Sequence, residues 1–242
     1  MATPEFPRAL LREKSHSWNP RGIVATAGQT ADNVSQIIRS DGGGFWVCTM
    51  SDVSLGGRGA GVGHARQKAA TLLWRAVRQI CDGGVNAIVV PRNDALVRPW
   101  PVGMVQGEIS LPHSDGSFFD DGSGYYQPVI DVVISAAASL RATFLNLAFR
   151  QCGPLQGGES FSILHDTVGW RLYEIATVVY SDPTRATVTF HPPLREDVAA
   201  GAAVEFDRPR CVMRLANAGA MDLAVVPWTF NTASVSFVEA PL

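Results

Sequence analysis

The chain of 242 residues is short of charge: Asp, Glu, Lys and Arg make up 17% of it, against roughly a quarter in an ordinary globular protein. What charge there is nearly cancels, with 20 basic and 22 acidic side chains giving a formal −2 and no long run of either sign. Binding to a phosphate backbone through counterion release needs a basic stripe or patch, so the sequence argues against nucleic acid as a partner. No segment reaches the eighteen or so uninterrupted apolar residues that span a bilayer, which argues against a membrane. Residues 1–14 lack the basic stretch followed by an apolar one that secretion requires, so the expected site of synthesis is a cytoplasm-like compartment.

Cysteine is scarce as well. Cys48, Cys81, Cys152 and Cys211 lie far apart with no CxxC or CxH pairing, so structural zinc is not expected. Cys48, Cys81 and Cys211 have apolar neighbours and read as small buried hydrophobes. Catalytic signatures are missing too. His16, His64, His113, His165 and His191 fall in five separate segments without HxH, HExxH or HxxxH spacing, and Gly158-Glu159-Ser160-Phe161 lacks the second glycine of a nucleophile elbow. No catalytic residue, metal ligand or cofactor is predicted.

What is present is 46% hydrophobic content, 23 Gly and 15 Pro, a composition suited to a β-rich chain with many turns. Short segments of period two recur at 22–27, 34–39, 45–50, 86–90, 107–111, 129–134, 142–149, 161–164, 170–180, 186–190, 203–206, 210–215, 222–230 and 233–238. Asp41-Gly42-Gly43-Gly44 predicts a hairpin joining 34–39 to 45–50, and Ser181-Asp182-Pro183-Thr184 one joining 170–180 to 186–190. Ala69, Leu72, Leu73, Ala76, Val77 and Ile80 instead recur at spacings of three and four, which predicts one amphipathic helix over about 65–81, stopped by Gly83 and Gly84. The fold class expected is therefore mainly β: antiparallel sandwich or small-barrel units, with one helix in the N-terminal half. The composition shift at 112–127 divides the chain into a β-plus-helix unit at 1–111, an aromatic linker at 112–127 and an all-β unit at 128–242.

Two stretches invite functional readings. The glycines of 56–63 precede the helix, where a phosphate could be cradled, but they fit neither the dinucleotide GxGxxG placement nor a P-loop. A nucleotide-using enzyme is thus the weakest alternative. The linker 112–127 interleaves Phe118, Phe119, Tyr125 and Tyr126 with Asp115, Asp120, Asp121 and small residues. Aromatic faces beside carboxylates suit sugar rings, which makes a carbohydrate-binding module the second alternative. The same residue types suit a protein interface still better. Residues 1–19 are interrupted by Pro4 and Pro7 and followed by Pro20, yet they carry Phe6, Leu10, Leu11 and Trp18, and read as an irregular arm that packs on something. The candidate assembly residues are Phe6, Trp18, Arg58, Arg66, Arg98, Trp100, Phe118, Phe119, Tyr125 and Tyr126.

The stretch from Leu155-Gln156-Gly157-Gly158-Glu159-Ser160-Phe161 through Gly169-Trp170-Arg171-Leu172-Tyr173, Phe190-His191-Pro192-Pro193-Leu194-Arg195 and Gly201 to Phe206-Asp207-Arg208-Pro209-Arg210-Cys211-Val212-Met213-Arg214-Leu215 resembles a group of tail proteins of long-tailed bacteriophages. The N-terminal half is similar in organisation to the ring-forming domain of distal tail proteins. The resemblance implies a structural virion protein of the tail tip, a homohexameric ring assembled in the host cytoplasm that joins the tail tube protein to the hub. It also implies that the helix and the proline-bearing stretch 91–105 build the ring. No separate galectin-like carbohydrate domain is recognisable.

Overall fold

The computed structural model describes residues 3–29, 32, 35–39, 43–56, 64–102, 109–111, 114–120, 125–127, 129–225 and 231–241. The chain is mainly β, with a single α-helix among the described residues, as its periodicities predict. In chain order the elements are β1 (Ser15–Arg21), β2 (Val24–Gln29), β3 (Ser35–Arg39), β4 (Phe45–Ser54), α1 (His64–Cys81), β5 (Ile88–Pro91), β6 (Ile109–Leu111) and β7 (Tyr125–Gln127). There follow β8 (Asp131–Ile134), β9 (Phe144–Gln151), β10 (Ser160–His165), β11 (Gly169–Asp182), β12 (Arg185–His191), β13 (Ala203–Val204), β14 (Arg210–Leu215) and β15 (Thr232–Glu239). The chain folds as two compact units, one made of Met1–Pro91 with Cys211–Leu242 and the other of Arg92–Arg210. This division differs from a boundary at 112–127: the last thirty or so residues return to the first unit.

The first unit is built on a sheet of order β1-β4-β15-β14-β5. Alternation in β4 buries Trp46, Cys48 and Met50, and in β15 Ala233, Val235 and Phe237. Trp18, Cys48 and Phe237 stand side by side across β1, β4 and β15, so one row of side chains continues through three strands. β1 corrects the reading of 1–19 as wholly irregular. Its Pro20 lacks a donor, but β1 is an edge strand, where proline is tolerated. The hairpin expected between 34–39 and 45–50 is also corrected: β3 pairs with β2, while β4 takes β1 and β15 as neighbours. Of the expected turn at 41–44, Gly43 and Gly44 are at φ +65° and +81° and precede a strand of a different sheet from β3, while Asp41 and Gly42 lie outside the described residues. On α1, Ala70, Trp74, Val77 and Cys81 form the buried face, and the Trp74 indole N–H donates to the Met221 carbonyl at 3.1 Å.

The second unit is a six-stranded antiparallel sheet of order β10-β11-β12-β9-β8-β13. Ser162 in β10 and Glu205 beside β13 exchange two backbone hydrogen bonds of 2.9 Å, which brings the first and last strands together into a nearly closed barrel. Its interior holds Val132, Ile134, Leu145, Leu147, Ile163, Ile175 and Val188 around an aromatic centre. Phe161 stacks on Tyr173 at 5.4 Å and meets Phe190 and Phe206 at 5.5 and 5.6 Å between ring centroids. β11 and β12 form the predicted hairpin, whose turn is held by the Asp182 carboxylate accepting from the Thr184 N–H and hydroxyl. β6 and β7 pair as a separate short hairpin, so Tyr125 and Tyr126 belong to a strand instead of a loop. The strand expected over 222–230 does not form at 222–225, and the remainder lies outside the described residues.

Candidate assembly surfaces

The segment 92–102 leaves β5 and runs as a strap along the barrel unit. Two arginines pin it. Arg92 pairs with Asp94 and, at 2.9 Å, with Glu174 on β11; Arg98 pairs with Asp207 at 3.0 Å and lies 5.8 Å from the centre of the Trp100 ring. Trp100 in turn packs against the barrel core. At Gly153, which follows β9, the N–H donates to the Pro99 carbonyl at 2.8 Å, and no side chain would fit, because a Cβ would come within 2.8 Å of the Trp100 carbonyl carbon. Between the two arginines the single turn Ala95–Val97 is pushed outward, leaving Leu96 fully exposed at 100% and Val97 more than half exposed. Leu96 and Val97 are thus two adjacent apolar side chains standing in water on anchored backbone, so presenting them requires no further ordering of the chain.

Beside this knuckle lies a groove of about 380 Å³ lined by Leu96, Val97, Arg98, Pro154, Gln156 and Glu159 among others. Its floor is the turn that the sequence marks with Gly157-Gly158, both at positive φ, +104° and +93°. The buried Glu159 carboxylate accepts from the N–H groups of Gln156 and Gly157 at 2.7 and 2.8 Å and fixes that turn. That side of the groove is a turn cross-braced by a buried carboxylate.

The residues singled out from sequence fall into four groups, apart from Tyr125 and Tyr126, which lie in β7. Phe6 and Trp18 are core residues of the first unit: the Phe6 N–H donates to the Val89 carbonyl at 2.8 Å and its ring meets Phe237 edge-on at 5.6 Å, while Trp18 is 8% exposed. What the N-terminal arm packs on is its own sheet. Arg98 and Trp100 anchor the strap from within. Arg66 on α1, and Phe118 and Phe119 in the exposed stretch 114–120, lie at the surface. Arg58 lies outside the described residues, as do Asp121 and the glycines 57–63. The sequence matches no family model and no curated protein.

Reading by period missed Leu96, Val97 and Val102, and also Val24, Ile37 and Ile38 on the β2–β3 ribbon, all exposed. Ile37 and Ile38 are neighbours on one strand and so point to opposite faces, which leaves both faces of that ribbon apolar and uncovered among the described residues. The signal at 96–97 was an apolar pair bracketed by Arg92, Arg98 and two prolines, a pattern that buries nothing and has no period.

Of the five histidines, His16 and His165 have described side-chain partners within the fold, while His113 lies outside the described residues. His16 on β1 meets Arg8 and Glu13, and among the described residues no group of three His, Cys, Asp or Glu is placed to hold a metal ion. His165 is buried in β10, its Nε2 2.8 Å from the Tyr173 hydroxyl, and that hydroxyl accepts from the Arg195 N–H at 3.2 Å. Burial lowers the His165 pKa from 6.5 to about 4, with Glu196 and Asp166 opposing the shift and Arg171 and Arg195 adding to it. Between those two values the unfolded chain binds a proton that the folded barrel excludes. Stability from this group is complete above pH 6.5 and is lost as pH falls toward 4, by about 3 kcal/mol. Urea denaturation of the wild type and of His165→Asn at pH 7 and pH 4.5 should show a smaller acid loss in the variant; equal losses would assign the acid sensitivity elsewhere.

Proposed function

We propose that this chain is a non-enzymatic structural subunit of a phage tail tip, assembling with further copies of itself into a ring that joins the tail tube to the hub. The phage assignment rests on the resemblance of residues 155–215, from the Gly157-Gly158 turn of the barrel unit through the β14 sequence of the first unit ending Met213-Arg214-Leu215. The observation that carries the assembly reading is the Leu96–Val97 knuckle, held out by paired Arg92 and Arg98 at the rim of a groove. A ring contact is heterologous and needs two different complementary patches, and the knuckle, the β2–β3 ribbon and the outer face of α1 are chemically different apolar surfaces. The low charge content fits a subunit covered by its neighbours.

Negative-stain images of the purified protein should show rings, and light scattering a discrete oligomer. Leu96→Ser with Val97→Ser removes only exposed apolar surface, so it should leave the unfolding midpoint within about 0.5 kcal/mol of wild type while weakening assembly about tenfold or more. A wild-type chain that stays monomeric across the whole concentration range defeats the reading.

A further inference from the structure

The helix α1 carries a charge pattern that folding alone does not explain. Its 18 residues include Arg66, Lys68, Arg75 and Arg78 and not one acid. Arg66 and Lys68 sit near the N-terminus, where the macrodipole disfavours cations, and Arg75 and Arg78 are like charges at a spacing of three. Among the described residues the side chains of Lys68, Arg75 and Arg78 make no ion pair or hydrogen bond. At 100° per residue the face opposite the buried Ala70, Trp74 and Val77 shows Lys68 and Arg75 along one flank, Leu72 in the middle, and Ala76 and Ile80 along the other. Leu72 and Ile80 are about half exposed. The small alanines allow a partner to approach closely.

The stretch 114–120, Ser-Asp-Gly-Ser-Phe-Phe-Asp, is the complement of this face. It contains two acids and no base, it is exposed throughout, and Phe118 and Phe119 stand 48% and 43% in solvent. The Asp115 carboxylate accepts from the N–H and hydroxyl of Ser117 at 2.9 and 2.6 Å, bonds that hold its pKa below the ordinary carboxylate value and keep it charged. We infer that the outer face of α1 docks the acidic, aromatic stretch 114–120 of a second copy of this chain, head to tail. The inference rests on the ring reading above and names one contact within it. Lys68 and Arg75 face Asp115 and Asp120, and the phenylalanines cover Leu72 and Ile80. The two patches differ in kind, as a contact between neighbours in a closed ring requires, and the helix gains from its neighbour the negative charge its own sequence withholds.

Sedimentation velocity of the full chain over a concentration series tests this. Lys68→Glu with Arg75→Glu, and separately Asp115→Lys with Asp120→Lys, should each raise the apparent dissociation constant about tenfold or more while circular dichroism and the melting midpoint stay at wild-type values. An equimolar mixture of the two variants should recover wild-type association, because every reversed helix then meets a reversed loop and the alternate contact is wild type. Unchanged association of either variant overturns the contact, as does a mixture of folded variants that fails to recover. Rings formed by wild type and kept by the helix variant leave the ring reading standing and remove this contact alone; a strictly monomeric wild type removes both. Binding of duplex DNA that the helix variant loses, with self-association intact, would assign the face to a polyanion and overturn the proposal.

Discussion

Phe161→Ala should cost the barrel unit about 3–5 kcal/mol, among the largest losses any single truncation in this chain can produce. The ring is fully buried and touches three aromatic partners at 5.4 to 5.6 Å, so its removal deletes buried apolar area and also three ring contacts worth about 0.5–1.5 kcal/mol each beyond that area. The partners cannot close the gap easily. Tyr173 is tethered by its hydroxyl to His165 and to the Arg195 N–H, and Phe190 is held in a ladder that runs between β11 and β9. The cavity therefore stays open, which puts the cost toward the upper end. Denaturant unfolding followed by hydrogen exchange should locate the loss in the amides of β10, β11 and β12, with Phe161→Leu recovering roughly half of it. A loss of 1 kcal/mol or less would mean that the strands collapse around the site and that the aromatic centre does not organise the barrel.

The parts of this molecule that a sequence reader could find are those whose cause is local. α1 was legible because its apolar spacing changes from two to three and four within a few residues of Gly63, and the β11–β12 hairpin because Asp182-Pro183-Thr184 is a turn by its own chemistry. Pairing was not legible. β4 lies between β1 and β15, and the Val47–Val238 partnership spans nearly the whole chain, so nothing near residue 47 announces it. The preference for β3 as its partner came from the adjacent turn, a local signal that the sheet overrides. The division into units was hidden for the same reason: β14 and β15 return to the first unit from the far end of the chain.

The candidate site shows the same asymmetry. An apolar arm broken by prolines reads as packing on something without saying on what, and on that ground Phe6 and Trp18 stand with the linker aromatics as assembly candidates; the arm lies along β5, and Trp18 lies in β1, one strand from Phe237. Phe118 and Phe119, flanked by Ser, Asp and Gly, are about half exposed. Leu96 was passed over because a lone apolar pair between prolines has no period to catch the eye, and its significance appears only once Arg92 and Arg98 are seen to be paired on either side of it.

That arrangement leads to the second large effect. Gly153→Ala should destabilise the unit by about 2–3 kcal/mol, although it adds one methyl group and changes no charge. The new Cβ would come within 2.8 Å of the Trp100 carbonyl carbon and closer still to its oxygen, and both belong to backbone, so no rotamer change relieves the overlap. Either Gly153 or the strap has to move. Movement of the strap breaks the 2.8 Å bond from the Gly153 N–H to Pro99, lifts Trp100 from the barrel core and draws Arg98 from Asp207. Hydrogen exchange across 92–102 should accelerate at least tenfold in the variant while the amides of β10 and β12 keep their protection. Assembly should weaken as it does in the Leu96→Ser, Val97→Ser variant, because a knuckle that is present but no longer held loses the ordering that made its exposed surface available without an entropic cost. An unchanged exchange rate across the strap would show that Gly153 yields instead. Assembly that survives a mobile strap would show that the chemistry of Leu96 matters and its fixed position does not.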